Sequence, residues 1–170
     1  TDALVDLFEE RVDIAIRHGP LPDSALRARS LGSSRWLVVA APAYLQRHGT
    51  PLHPDQLDAH HCLHFNFRRS IEGWTLRDNG HVRRLAVRGN FVGNSGEALR
   101  IMAVGGAGIA RLAHFLVGAD LRAGRLVPLL EPYSEGERED IHALYLGHGQ
   151  PSARVRAFVD FLVERAYVRE

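Results

Sequence analysis

Little in this sequence invites covalent or membrane chemistry. Cys62 is the single cysteine among 170 residues, so no intramolecular disulfide can form and a reducing cytoplasm is the default compartment. No apolar run approaches the roughly 20 residues that span a bilayer, and no secretory leader opens the sequence as given. Lysine is absent. Arginine carries the positive charge, scattered along the chain, and 21 cationic against 20 acidic side chains leave a formal charge of only +1. That balance excludes a dense basic footprint for nucleic acid over these residues. A G-x-S-x-G elbow, an H-E-x-x-H pair and a phosphate-binding Walker loop are all missing. With no nucleophile, base and oxyanion set in view, the chain does not read as an enzyme.

What is present is an ordinary globular composition, 45% hydrophobic and 24% charged, in a chain long enough for one domain or two small lobes. Residues 94–112 organise it. Asn94 or Ser95 can cap a helix, with Glu97 at capping-box spacing from Asn94. Ala98, Leu99, Ile101, Met102 and Val104 give that helix an apolar side, and the glycines at 105, 106 and 108 stop it. Residues 109–112 then read as a short strand. Such a helix start presents N–H groups and partial positive charge to a carboxylate or phosphate.

The rest of the chain alternates helices and strands. Residues 2–10 read as a helix and 12–17 as a short buried strand. Helix directly followed by strand is the second half of a βαβ unit whose first strand is not in this chain. Residues 26–31 form an extended segment and 35–41 a strand, and Pro42 opens a helix closed by Gly49. A helical turn is expected at residues 54–57 and a strand at 62–67. Asp78-Asn79-Gly80 marks a hairpin between residues 74–77 and 81–87, with 88–92 extending its second strand. Beyond residue 112 come a helix at 115–122, strands at 125–130 and 141–146, and a final helix capped by Ser152. This is an α/β pattern with one lobe inserted in the other: residues 1–41 with 141–170, and residues 42–140.

Several constellations carry less than they suggest. Gly105-Gly106-Ala107-Gly108 follows a helix and opens a strand, the reverse of a dinucleotide loop. In His60-His61-Cys62-x-His64 the alternation of a strand turns His61 and Cys62 to opposite faces, so no metal site and no cofactor are expected. Arg17-His18-Gly19 is more informative, because ligands in open α/β sheets bind beyond the carboxyl ends of strands. Phe65 and Asn66 end another strand with the mixed chemistry of a small-molecule pocket, although strand alternation turns Phe65 or Phe67 to the core of its lobe if Asn66 faces the pocket.

These pieces, in this order, resemble the effector-binding domain of LysR-type transcriptional regulators. The matching stretches are Val12-Asp13-Ile14-Ala15-Ile16-Arg17 before Gly19, Leu21-Pro22-Asp23-Ser24, Ala41-Pro42-Ala43-Tyr44-Leu45, Asn94-x-Gly96-Glu97-Ala98, Gly106-x-Gly108-Ile109-Ala110 and Gly124-Arg125-Leu126-Val127-Pro128-Leu129-Leu130. A closing helix begins at Arg154-Val155-Arg156. Together they cover nearly the whole chain. One minor departure is Ala113, where relatives often have proline.

The resemblance implies a two-lobed fold like type 2 periplasmic solute-binding proteins, hinged on two crossover strands. It implies a small effector, a carboxylate, held in the interlobe cleft by Thr1, Arg17, His18, Phe65, Asn66, Asn94, Ser95 and Gly96. It also implies that the full regulator is a homodimer or tetramer. DNA would be bound only by an N-terminal winged helix-turn-helix outside this chain, and no membrane is involved. The first strand and helix of the first lobe are expected to be missing. The alternative is a solute-binding protein of a transport system, which shares the fold.

Overall fold

A computed structural model describes residues 12–19, 21, 26–66, 73–134, 136–146 and 151–165. In chain order these form β1 (Ile14–His18), β2 (Leu26–Ala40), α1 (Pro42–His48), a 3-10 helix (Pro54–Ala59) and β3 (Cys62–Phe65). Next come β4 (Trp74–Asp78), β5 (His81–Leu85), β6 (Val92–Gly93), α2 (Gly96–Val104), β7 (Ile109–Ala113) and α3 (His114–Arg122). The chain continues with β8 (Val127–Leu129), a 3-10 turn (Glu131–Tyr133), β9 (Arg138–Leu146) and α4 (Ala153–Arg165). Two compact units result: a larger one over Arg35–Glu137, and a smaller one formed by the described residues of Leu4–Ser34 and Arg138–Glu170. Both β2 and the segment entering β9 pass from one unit to the other.

The larger unit is built on strand alternation. Along β2, Leu37 and Val39 face one side and Val38 and Ala40 the other, as successive strand residues must. The first pair packs with Leu99 and Ala103 of α2, Val117 of α3, and Leu63, Ala110 and Leu112 of neighbouring strands. The second pair packs with Tyr44 of α1, Leu57 of the 3-10 helix, Trp74 and Leu76 of the hairpin, and Cys62 and Ile109. The sheet is therefore buried on both faces. β2 lies between β7 and β8, antiparallel to both, while β3 runs parallel to β7 and β6. Hairpin β4–β5 turns at Asn79 and Gly80, both at positive φ (49° and 79°), the backbone a two-residue type I′ turn requires.

In the smaller unit β1 pairs antiparallel with β9 from Ile14↔Tyr145 to His18↔Ile141. Leu31, Ile141 and Ala143 pack there against Val155 and Val159 of α4. The Ser152 hydroxyl accepts the Val155 amide at 3.4 Å, as the cap expected at that residue should.

Four local expectations need correction. The strand expected to be buried over residues 12–17 is β1, one residue later at its close, and Ile16 is 44% exposed. The sequence contains branched apolar residues there, but among the described strands β1 has a neighbour on one side only. Residues 26–31 and 35–41 are not separate: β2 is one 15-residue strand, and Gly32 at φ 108° carries the chain between them. Residues 88–92 do not extend the hairpin. The Cys62 amide donates to the Arg88 carbonyl at 2.9 Å, and a Cβ on Gly89 would lie 2.0 Å from the Cys62 carbonyl oxygen. That close approach draws the chain over to β3, leaving only Val92 and Gly93 in the ladder. The strand expected at 125–130 is confined to Val127–Leu129, because Leu130 adopts φ 54°. The segments 2–10 and 67–72 lie outside the described residues.

Candidate functional site

Parallel pairing of β3 with β6 and β7 brings the carboxyl ends of three strands, at Phe65, Gly93 and Ala113, to one edge of the larger unit's sheet. α2 follows β6 after two residues, and α3 follows β7 with Ala113 as its N-cap. Both helices thus begin at that edge, where open α/β sheets hold their ligands. Each start adds partial positive charge.

Five of the anticipated residues gather here. The Asn66 amide donates to the Gly93 carbonyl at 2.9 Å, which fixes the end of β3 beside the approach to α2. Asn66 and Asn94 are exposed, and Ser95 and Gly96 are half-buried. Phe65 belongs to the core and is only 6% exposed. Its ring lies 3.7 Å from where a Gly96 Cβ would sit, and Leu116 lies 2.9 Å from the same point. Phe65 therefore supports the helix start from beneath, and Gly96 lets the two approach.

The helix starts at one of the two expected caps, but without the expected capping bonds. Ser95, in extended backbone, is the N-cap and makes no side-chain cap bond. A cap at Ser95 rather than Asn94 puts Ala98, not Glu97, at the third helical position, so the capping box is out of register. Glu97 instead accepts two bonds from Arg100, at 2.8 and 2.6 Å, and that guanidinium holds its carboxyl below the usual range. Arg100 continues to Asp120 at 2.7 Å, which Arg125 also reaches at 2.6 Å. Asp120 is 1% exposed. Burial pushes its pKa up, but the two arginines outweigh that and the net shift is downward. This network ties α2 to α3 behind the site.

Arg17 and His18 end β1 in the smaller unit, opposite His142 and Ile141 of β9. Gly19 follows at φ 83° and its amide donates to the Asp140 carbonyl at 2.9 Å. Strand-end reasoning located this corner within its own unit. Thr1 lies outside the described residues. His114, first residue of α3 at the three-strand edge, was missed, although the same strand-end reasoning would have found it. A recess lined by Trp36, Thr75, Arg111 and Glu137 contains none of the anticipated residues. Its charged groups serve each other: Arg111 pairs with Glu137 at 2.6 Å and lies over the Trp36 ring at 5.1 Å.

Cys62 is buried, its thiol pushed up to about 12 by burial and then by Asp58, and it donates to the Leu57 carbonyl at 3.8 Å. It is a packing residue with no thiolate character. Among the described residues no group of three His, Cys, Asp or Glu side chains is placed to hold a metal ion, and no helix is long and apolar enough to cross a membrane.

The family model for the LysR substrate binding domain matches residues 1–166. The chain belongs to that family. Among its LysR-type relatives, the HTH-type transcriptional regulator CrgA of Neisseria meningitidis is 40% identical over 165 residues, spanning 96% of this chain and 54% of the relative. DmlR of Escherichia coli is 34% identical over 170 residues, 99% of this chain and 54% of the relative. The chain thus spans about half the length of the curated relatives it matches. The CrgA regulatory domain superposes with a TM-score of 0.85 at 40% identity, over 92% of this chain and 76% of that one. Full-length AphB of Vibrio cholerae gives 0.79 at 29%, over 98% and 55%. The fold is accordingly the two-lobed, periplasmic-binding-protein-like fold of LysR-type regulatory domains. The relatives are transcriptional regulators, not enzymes.

Proposed function

We propose that this regulatory domain senses a small anionic metabolite, a carboxylate, at the three-strand edge of the larger unit. Asn66, Asn94, Ser95 and Gly96 contact it there, with Phe65 supporting them. The observation that carries the reading is the convergence of two helix starts on the carboxyl ends of β3, β6 and β7, where amide donors and partial positive charge favour an anion. Ser95 leaves its helix without a side-chain cap, in keeping with a start shaped for an external acceptor. The proposal extends to Thr1, Arg17 and His18, which the family resemblance assigns to the same ligand.

A ligand held more tightly by one arrangement of the lobes than by another shifts the balance between them. In the complete regulator that shift alters the geometry of a dimer or tetramer in the cytoplasm. DNA is contacted by an N-terminal winged helix-turn-helix.

A thermal-shift screen of small carboxylic acids against neutral analogues tests the reading. Acids are expected to raise the unfolding midpoint, and Asn94→Ala is expected to weaken an acid hit by several-fold or more, the loss of about one charge-assisted hydrogen bond. Stabilisation by neutral compounds alone, or an unchanged affinity in Asn94→Ala, would overturn it.

A further inference from the structure

The strand-end site leaves unused an aromatic corner where α1 meets the 3-10 helix and the start of β3. Tyr44 is 1% exposed. Its hydroxyl accepts the His61 amide at 3.0 Å and lies 3.1 Å from Nδ1 of His60. Its ring stacks on His48 at 4.5 Å, and His48 meets His61 edge-on at 6.1 Å. Three imidazoles crowd one buried phenol.

We propose that Tyr44, His48, His60 and His61 form an acid-sensitive latch that holds α1 to the start of β3 and to the turn before β7. The Tyr44 hydroxyl accepts that amide and can also give its own proton, for which Nδ1 of His60 is the acceptor in reach. That bond requires a neutral His60 with its proton on Nε2. Protonation would put an N–H at Nδ1, and the phenol proton would lose that acceptor.

The surroundings also oppose the proton. On α1, Arg47 and His48 face this corner, and His61 adjoins it at the start of β3. The neutral Cys62 lies alongside, and of the two acids on the 3-10 helix Asp58 acts on that thiol while Asp55 pairs with Arg83 at 2.7 Å. Burial first, then His48 and His61, push the His60 pKa down. The His61 carbonyl accepts the Ile109 amide at 2.9 Å, and Arg47 donates to the Gly106 carbonyl at 2.9 Å. Opening the corner would therefore release the turn that ends α2.

A His60 pKa lower in the folded than in the unfolded chain means that folding excludes a proton. The stability this gives is complete above about pH 6.5, the ordinary histidine value. It is lost as pH falls below that towards the folded value.

The test is the unfolding midpoint of this chain at pH 7.5 and 5.5, together with an NMR titration of the histidine rings. His60→Asn keeps an acceptor near Nδ1 but cannot titrate. Its acid-induced fall in midpoint should be smaller than that of the unmodified chain by up to about 3–5 °C, because pH 5.5 lies about one unit below the ordinary histidine value. In Tyr44→Phe, which removes only the hydroxyl, the His60 resonance should titrate closer to 6.5. An equal fall in His60→Asn, a His60 ring titrating at or above 6.5, or no change in Tyr44→Phe would overturn the latch. Should either variant fail to fold, the ring titration of the unmodified chain decides alone.

Discussion

In the larger unit a five-stranded arrangement is covered on both faces, by α2 and α3 on one side and by α1, the 3-10 helix and the hairpin on the other. The described part of the smaller unit has one cluster, centred on Leu31, Ile141, Ala143, Val155 and Val159, and leaves Ile16, Phe158 and Phe161 between 44 and 54% exposed. The contrast teaches where rigidity resides. A sheet buried on both faces fixes its strand ends within a small tolerance, and the larger unit is the one that presents three strand ends and two helix starts together. Its polar interactions follow the same division. Asp120 is buried at the junction of α2 and α3, while Arg154 and Asp13 of the smaller unit, 3.2 Å apart, are 79 and 63% exposed. An exposed pair of that kind gives little stability.

The comparison can be broken most directly in the core. Leu99→Ala removes a side chain with no exposure and should cost about 3 kcal/mol, within the range for leucine cavities. Phe161→Ser on α4 should change stability by less than about 0.5 kcal/mol, as for an exposed site. Urea unfolding of both variants checks this, and equal losses would remove the distinction between the units.

Asp120→Asn should come next. Taking one partner from a buried ion pair leaves charge uncompensated, and a loss of about 3 kcal/mol is expected, at the low end of that class because Arg125 stays half in water. The folded pKa of Asp120 is depressed. Its contribution is therefore present above the unfolded carboxyl value, about 3.9, and is lost as pH falls through the lower folded value. Acid titration of stability should show the gap between the unmodified chain and Asp120→Asn closing in that window. A constant gap would show that the pairing does not set it.

Ser95→Ala should have the smallest effect. A working N-cap is worth about 1 kcal/mol, but Ser95 makes no cap bond, so a change below about 0.5 kcal/mol is expected by thermal unfolding. A larger loss would mean that the hydroxyl holds the helix after all.

Much of the architecture was legible in residue order. Pro42 and Gly49 bracket α1, Asn79-Gly80 places the hairpin, and the glycines after Val104 end α2, since each imposes a backbone conformation locally. Strand-end reasoning picked out Asn66, and the helix-start signal picked out the 94–96 corner, because each is written in a few adjacent residues. The capping box was misread because Asn94 and Ser95, both open as caps, are interchangeable in the local pattern, and one step of register decides which residue faces the cap. Glu97 was drawn away by Arg100, whose other partner, Asp120, lies 20 residues on. Phe65 was legible as either pocket or core, and only the packing of Gly96 and Leu116 around it placed it in the core beneath the helix start.

Sequence alone determined the alternation of helices and strands, the turns, and the family, because these rest on local backbone preferences and on the order of short motifs. Tertiary structure decided that β3, β6 and β7 run parallel with their ends together, that Asp120 is buried between two arginines, and that Tyr44 gathers three histidines. Those are contacts between distant segments, and their strength comes from burial and mutual geometry that no single stretch of the chain contains.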